Sequence, residues 1–441
     1  MSSLLFGVSM KRIAAVVACL ASLSSVAAEA PKNIIMIVSD GMGPAYTSAY
    51  RYYADTNIDD GIDETVFDRH LVGMASTYPA AESGLVTDSA AGATALSAAV
   101  KTYNGAIALD VDKQPVLTVL NYAREKGMKT GIAVTSQIVH ATPAAYVAHN
   151  VSRRNYNDIA DSFFDDRING KFKLDVMLGG GTQYFDRKDR NLVDGFKQAG
   201  YQYTTDIDEL TSLPTDAPIL GLFGETGMAP ALDDVPGRLK IMAENATKRL
   251  ANDNGYFLLI EASQVDWAGH ANDIASAMAE MHDLAITMEW LETYVQQHPD
   301  TLVVLTADHS TGGLTIAANG EYKWDPQWIT SMKGSLRALS ENFSASQDRV
   351  SLVESYFGFE LNDEEKDHVA EIEATAPRDI YDELKEIIDE RTNTGWTTSG
   401  HTGVDVQIFA LGKGAEHFSG HLDNTDIARR IFTLLGNKNY Q

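Results

Sequence analysis

Four short stretches of this sequence carry residue types and spacings that could do chemistry. In "TDSAAGATA" (87–95), Ser89 stands in front of a run of small residues. Thr87 and Asp88 are helix-starting types, so Ser89 is expected in the first turn of a helix. There, free backbone N–H groups and the helix dipole favour an anion such as phosphate. No His or Lys lies near Ser89 in sequence to take its proton. "DWAGH" sets Asp266 and His270 at i and i+4, on one face of a helical turn and within reach of one metal ion. Asp308 and His309 are adjacent in "TADHSTGG" and offer a second pair of ligands. "SGHTG" flanks His401 with Gly400 and Gly403, which let the backbone approach closely. Each motif alone reads as a helix cap or a structural histidine. Together they point to metal chemistry, in which a cation holds the Ser89 oxygen ionised and no protein base is needed.

Such residues must be positioned by the elements before them. Apolar runs recur at 33–40, 72–78, 129–136, 175–181, 256–262, 301–309 and 405–412, separated by helical patterns such as "LTVLNYAREKG". This alternation predicts an α/β fold, with a large central, mostly parallel sheet and helices on both faces. Three of the runs end in an acid: Asp40, Glu261 and Asp308. Ligands of open α/β sheets bind beyond the carboxyl ends of the strands. Three acids converging there repel one another unless cations lie between them. Residues 320–395 break the pattern. They are acidic and helix-rich, and are expected to form an inserted helical subdomain within one catalytic domain spanning 29–441.

The chain has 441 residues with 44% hydrophobic and 22% charged, ordinary globular composition. No internal segment is apolar for long enough to span a membrane. Lys11 and Arg12 precede "IAAVVACLASLSSVAA", which reads as a signal peptide over 1–28, cleaved after Ala28. A lipoprotein signal ending at Cys19 is the alternative. The expected location is periplasmic or secreted. Cys19 is the only cysteine, so the mature protein is held by packing or by metals and not by disulfides. The net charge of −26 excludes non-specific binding to nucleic acid or to anionic membranes. It also means that a phosphate-bearing substrate needs a strong local positive site.

From about Lys32 to the C-terminus, the 320–395 segment excepted, the chain resembles the alkaline phosphatases, bacterial members included. The motifs that carry the resemblance are "IVSDGMG", "TDSAAGATA", "ATPAAYVAHNVSRR", "LGGG", "EASQVDWAGH", "TADHSTGG" and "SGHTGVDV". The resemblance implies two Zn²⁺ and one Mg²⁺. Asp266, His270 and His401 would hold one zinc. Asp40, Asp308 and His309 would hold the other, with Ser89 beside it. Asp40, Glu261 and Thr142 would hold magnesium. Arg153 would grip two phosphate oxygens, steadied by Asp88. The implied reaction is hydrolysis of small phosphate monoesters at alkaline pH through a phosphoserine at Ser89, and relatives of this kind are often homodimers.

Two positions depart from some members of that family. His140 stands where some carry Asp, and a nitrogen suits Mg²⁺ poorly, so either His140 acts on the third site through water, or that site is weak or holds another metal. Trp267 stands where some carry a Lys and brings no positive charge to the phosphate pocket. His149, His282, His417 and His421 match no ligand position. The glycines at 179–181 read as a turn. The competing readings are a phosphodiesterase of the same superfamily and an exported metal- or phosphate-binding protein without turnover.

Overall fold

The computed structural model describes residues 30–55, 57 and 60–440. The expected signal peptide lies outside them. All seven apolar runs enter one ten-stranded sheet. Its strands are β1 (Asn33–Val38), β2 (Leu71–Ser76), β3 (Lys129–Gln137), β4 (Val176–Gly180), β5 (Gln202–Thr204), β6 (Ile219–Leu222), β7 (Tyr256–Glu261), β8 (Thr301–Thr306), β9 (Val406–Gly412) and β10 (Gly420–Asp423). Their spatial order is β10-β2-β9-β8-β1-β7-β3-β4-β6-β5. Every pairing is parallel except those of β9 with β8 and with β2.

β1 explains why the central strands are continuous apolar runs. Successive strand residues point to opposite faces, and Ile34 through Val38 all have zero exposure. Both faces are therefore covered. One set of helices, Ser89–Ala98, Ala141–Val147 and Asn424–Leu434, packs together. A second set, Pro44–Ala54, Arg238–Leu250, Gln264–Ala271 and Ile274–Gln297, forms another layer. The sequence patterns did not announce β5, β6 and β10, which are only three or four residues long.

Residues 327–392 hold five helices and no strand. The segment leaves and returns through one antiparallel pair, Thr315–Ile316 with Thr394–Gly395. Polar ties bind it to the body: Ser335 donates to Asp233, the Tyr381 hydroxyl donates to Asp273, and Trp396 Nε1–H donates to Asp389. The triple glycine is less of a turn than its composition suggests. Gly179 and Gly180 close β4, and only Gly181, at φ 110°, leaves the strand. Among the described residues, no helix is long and apolar enough to cross a membrane.

Candidate active site

The chemistry-bearing residues meet at the carboxyl ends of the central strands. Asp40 lies two residues past β1, Glu261 ends β7, and Asp308 and His309 follow β8. Past β3, Thr142 sits in the first turn of the helix Ala141–Val147, which begins directly after His140. Asp266 and His270 lie on the helix Gln264–Ala271. His401 is delivered by a short strand paired with Ser310–Thr311. Gly41 makes this convergence possible. Its φ is +78°, and a Cβ there would lie 2.7 Å from the Asp266 Cα.

Ser89 opens the helix Ser89–Ala98, and the Asp88 carboxylate caps that helix by accepting from Ala91 N–H at 3.0 Å. Ser89 Oγ is 3.1 Å from His309 Nε2 and 3.5 Å from Asp40 Oδ1. His309 Nε2 is in turn 3.4 Å from Asp40 Oδ1 and 3.3 Å from Asp308 Oδ2. Donors about 2.0–2.1 Å from a tetrahedral zinc stand about 3.3–3.4 Å apart. The four atoms are spaced as one such ligand set.

A second set adjoins it. His270 Nε2 is 3.4 Å from Asp266 Oδ2 and 3.2 Å from His401 Nε2. His401 Nε2 is 3.7 Å from Asp266 Oδ1. The outer nitrogens fix the tautomers. His270 Nδ1–H donates to the Ser399 carbonyl at 2.6 Å, and His401 Nδ1–H to the Thr87 carbonyl at 2.8 Å. Both Nε2 atoms therefore present lone pairs to each other, an arrangement that a shared cation resolves. His309 could also close on this side, since its ligand atom clusters with those of Asp266 and His401.

The third cluster is Asp40, His140 and Glu261. Asp40 Oδ2, Glu261 Oε1, His140 Nδ1 and Thr142 Oγ1 are all buried without a hydrogen-bond partner. Such groups are costly unless something absent from the protein chain satisfies them. His140 Nδ1 stands 3.9 Å from Asp40 Oδ2 and 4.0 Å from Glu261 Oε1. Burial pushes Glu261 up to about 8 and Asp308 up to about 7. Burial and the neighbouring acids hold Asp40 well above the usual carboxylate range. Burial also drives His309 and His140 well below the usual imidazole value. So dense a set of buried acids and neutral imidazoles suits divalent cations. The donor sets fit two N/O sites and one oxygen-rich site.

Arg153 completes the constellation. It donates to Asp88 Oδ2 at 3.2 Å and to His140 Nε2 at 3.1 Å. Trp267 sits beside Asp266 but turns its ring edge-on to His140 at 6.0 Å and lines a separate cavity with Pro230 and Tyr381. The other histidines stay apart. His149 binds the Val116 carbonyl, His282 meets the Tyr50 hydroxyl, His421 pairs with Asp405, and His417 is exposed beside Glu416. Sequence reasoning missed Thr311. Its hydroxyl donates to Asp266 Oδ1 at 2.5 Å and accepts from His309 Nδ1 at 3.2 Å. The only signal was its place two residues after His309.

The family profile described as "Alkaline phosphatase" matches residues 31–437. Alkaline phosphatase 3 of Bacillus subtilis is 44% identical over 412 residues, covering 92% of this chain and 89% of its own length. A crystal structure of a cold-active alkaline phosphatase from a Shewanella species superposes with a TM-score of 0.87 at 48% identity, over 91% of this chain and 99% of that one. A histidine-to-aspartate mutant of the TAB5 alkaline phosphatase, with Mg bound in its M3 site, superposes at 0.70 with 27% identity, over 92% of this chain and 99% of that one.

Proposed function

The chain belongs to the alkaline phosphatase family and hydrolyses phosphate monoesters; on that premise we propose that Ser89 is the nucleophile. The observation that carries this is the spacing of Ser89 Oγ, Asp40, Asp308 and His309. Ser89 Oγ, its proton given up to solvent, attacks phosphorus, the bond from phosphorus to the leaving oxygen breaks, and the alcohol departs with a proton from solvent. Water then attacks the phosphoserine from the face the alcohol vacated, and inorganic phosphate leaves as Ser89 Oγ is freed. Two in-line displacements return the original configuration at phosphorus.

Arg153 holds the dianionic phosphoryl oxygens through its planar guanidinium. Asp88 keeps that side chain in register while also capping the helix that presents Ser89. Asp266, His270 and His401 would bind one Zn²⁺. Asp40, Asp308 and His309 would bind a second, and Asp40, Glu261 and Thr142 would bind Mg²⁺. When bound, these cations supply Lewis acidity and neutralise charge that builds on the attacking and leaving oxygens. A guanidinium placed for a dianion favours monoesters over diesters.

The protein is read as periplasmic or secreted, on the leader at 1–28, and as a homodimer. Residues 320–395 are read as an insertion in a single catalytic domain. The test is nitrophenol release from p-nitrophenyl phosphate across pH 7–11, before and after chelation and with each cation restored. Activity that is lost on chelation and restored by Zn²⁺ supports the reading. Full activity in the chelated enzyme contradicts it.

A further inference from the structure

The loop that presents Ser89 and the loop that carries Arg153 are tied to one turn that belongs to neither. It runs from Tyr103 to Ala106. Ala106 N–H donates to the Tyr103 carbonyl at 3.1 Å, and Gly105 supplies a left-handed φ of +93° at the third position.

Asn104, in this turn, reaches toward Ser89. Its Oδ1 accepts from Asp88 N–H at 3.1 Å, and its Nδ2 donates to the Val86 carbonyl at 3.1 Å. Those partners fix the orientation of the amide, since an N–H must meet its oxygen and a carbonyl its nitrogen. The backbone N–H of Asn104 is itself anchored on Ser83 Oγ at 2.8 Å. The next residue reaches the other way. The Gly105 carbonyl accepts from Arg153 N–H at 2.8 Å, and Ile107 and Asn150 exchange both backbone hydrogen bonds at 2.9 and 3.0 Å. Thr94, on the helix that Ser89 opens, closes the brace. Its hydroxyl donates to the Ala106 carbonyl at 3.2 Å and accepts from Ala108 N–H at 3.0 Å.

The Asn104 side chain is exposed, yet both of its polar ends are engaged. Water competes for hydrogen bonds at such a position, so they add little to stability. What they fix is geometry. We propose that Asn104 is a positioning residue that sets the register between Ser89 and the Arg153 guanidinium, acting through Asp88. Asn104 holds the Asp88 backbone. The Asp88 carboxylate in turn accepts from Ala91 N–H at 3.0 Å, capping the Ser89 helix, and from Arg153 Nη1 at 3.2 Å. In-line attack needs the gripped phosphoryl oxygens and Ser89 Oγ at a fixed separation, and small misplacements are costly. The proposal rests on the monoesterase reading above, with Arg153 on the phosphoryl oxygens.

The test is a double-mutant cycle of Asn104→Ala with Arg153→Ala, read in kcat/KM for p-nitrophenyl phosphate on the metal-loaded enzyme. Because the Asn104 side chain is exposed, its removal carries little risk of misfolding. Asn104→Ala is expected to lower kcat/KM about 10-fold in the wild type but no more than about 2-fold in Arg153→Ala, where no guanidinium is left to position. A merely structural asparagine would cost the same factor in both backgrounds. That result overturns the proposal and leaves the monoesterase reading intact, as does full activity in Asn104→Ala. Full activity in Arg153→Ala overturns the role of Arg153 and this proposal with it.

Discussion

His140 and Arg153 are joined by a 3.1 Å contact between Nε2 and Nη2. A guanidinium only donates, so His140 Nε2 accepts and its proton resides on Nδ1, facing Asp40 and Glu261. In that tautomer His140 cannot also ligate a cation through Nδ1. The Arg153 contact and nitrogen ligation at the third cluster exclude each other. His140→Asp removes the conflict and supplies oxygen donors. Mg²⁺ affinity, measured by calorimetry on the zinc-loaded protein, should rise at least about tenfold. Unchanged affinity would show that His140 does not govern this site.

Thr311 links the two N/O donor clusters, donating to Asp266 and accepting from His309. Thr311→Val keeps the shape but leaves His309 Nδ1–H without an acceptor. Zinc affinity, read by competition with a chelator, should fall about 10–100-fold, and Thr311→Ser should restore most of it. Equal affinity in the Val variant would remove Thr311 from the account.

Arg153→Ala leaves the phosphoryl oxygens without their cationic donor. One charge-assisted hydrogen bond contributes about 1.5–3 kcal/mol, so kcat/KM for p-nitrophenyl phosphate should fall by at least about 10–150-fold. Inhibition by inorganic phosphate should weaken in parallel. A variant that loses turnover but binds phosphate normally would place Arg153 elsewhere in the mechanism.

Asp389 offers a test of stability away from the cations. Burial pushes its carboxyl up to about 7, against a donation from Trp396 Nε1–H and the charge of Lys385, with Asp273 and Glu386 adding to the rise. The folded chain therefore binds this proton more tightly than the unfolded chain does. That favours folding at low pH, and the advantage is lost as pH rises from about 4 to about 7. Asp389→Asn keeps an acceptor for Trp396 and has no proton to lose. Its stability relative to wild type should grow across that interval by about 1–2 kcal/mol and then level off. A difference independent of pH contradicts the assignment.

The sheet was legible because its central strands are buried on both faces and so read as unbroken apolar runs, as Ile34–Val38 does. The short strands β5, β6 and β10 were not, because three or four residues carry too little pattern. Strand-end acids and the i, i+4 pair Asp266/His270 marked the metal region, since their spacing alone implies a shared face. Thr311 was invisible for the opposite reason. Its role depends on Asp266, 45 residues away in sequence, and only the fold brings the two together.

Ser89 is proposed to carry the phosphoryl group between the two displacements. Intact-protein and peptide mass spectrometry after incubation with a phosphate monoester, quenched in acid, tests it most directly. One phosphate is expected on the peptide containing Ser89, absent from Ser89→Ala, which should also lose turnover while retaining its bound metal. Undiminished turnover by Ser89→Ala, or phosphate found on another residue, would contradict it.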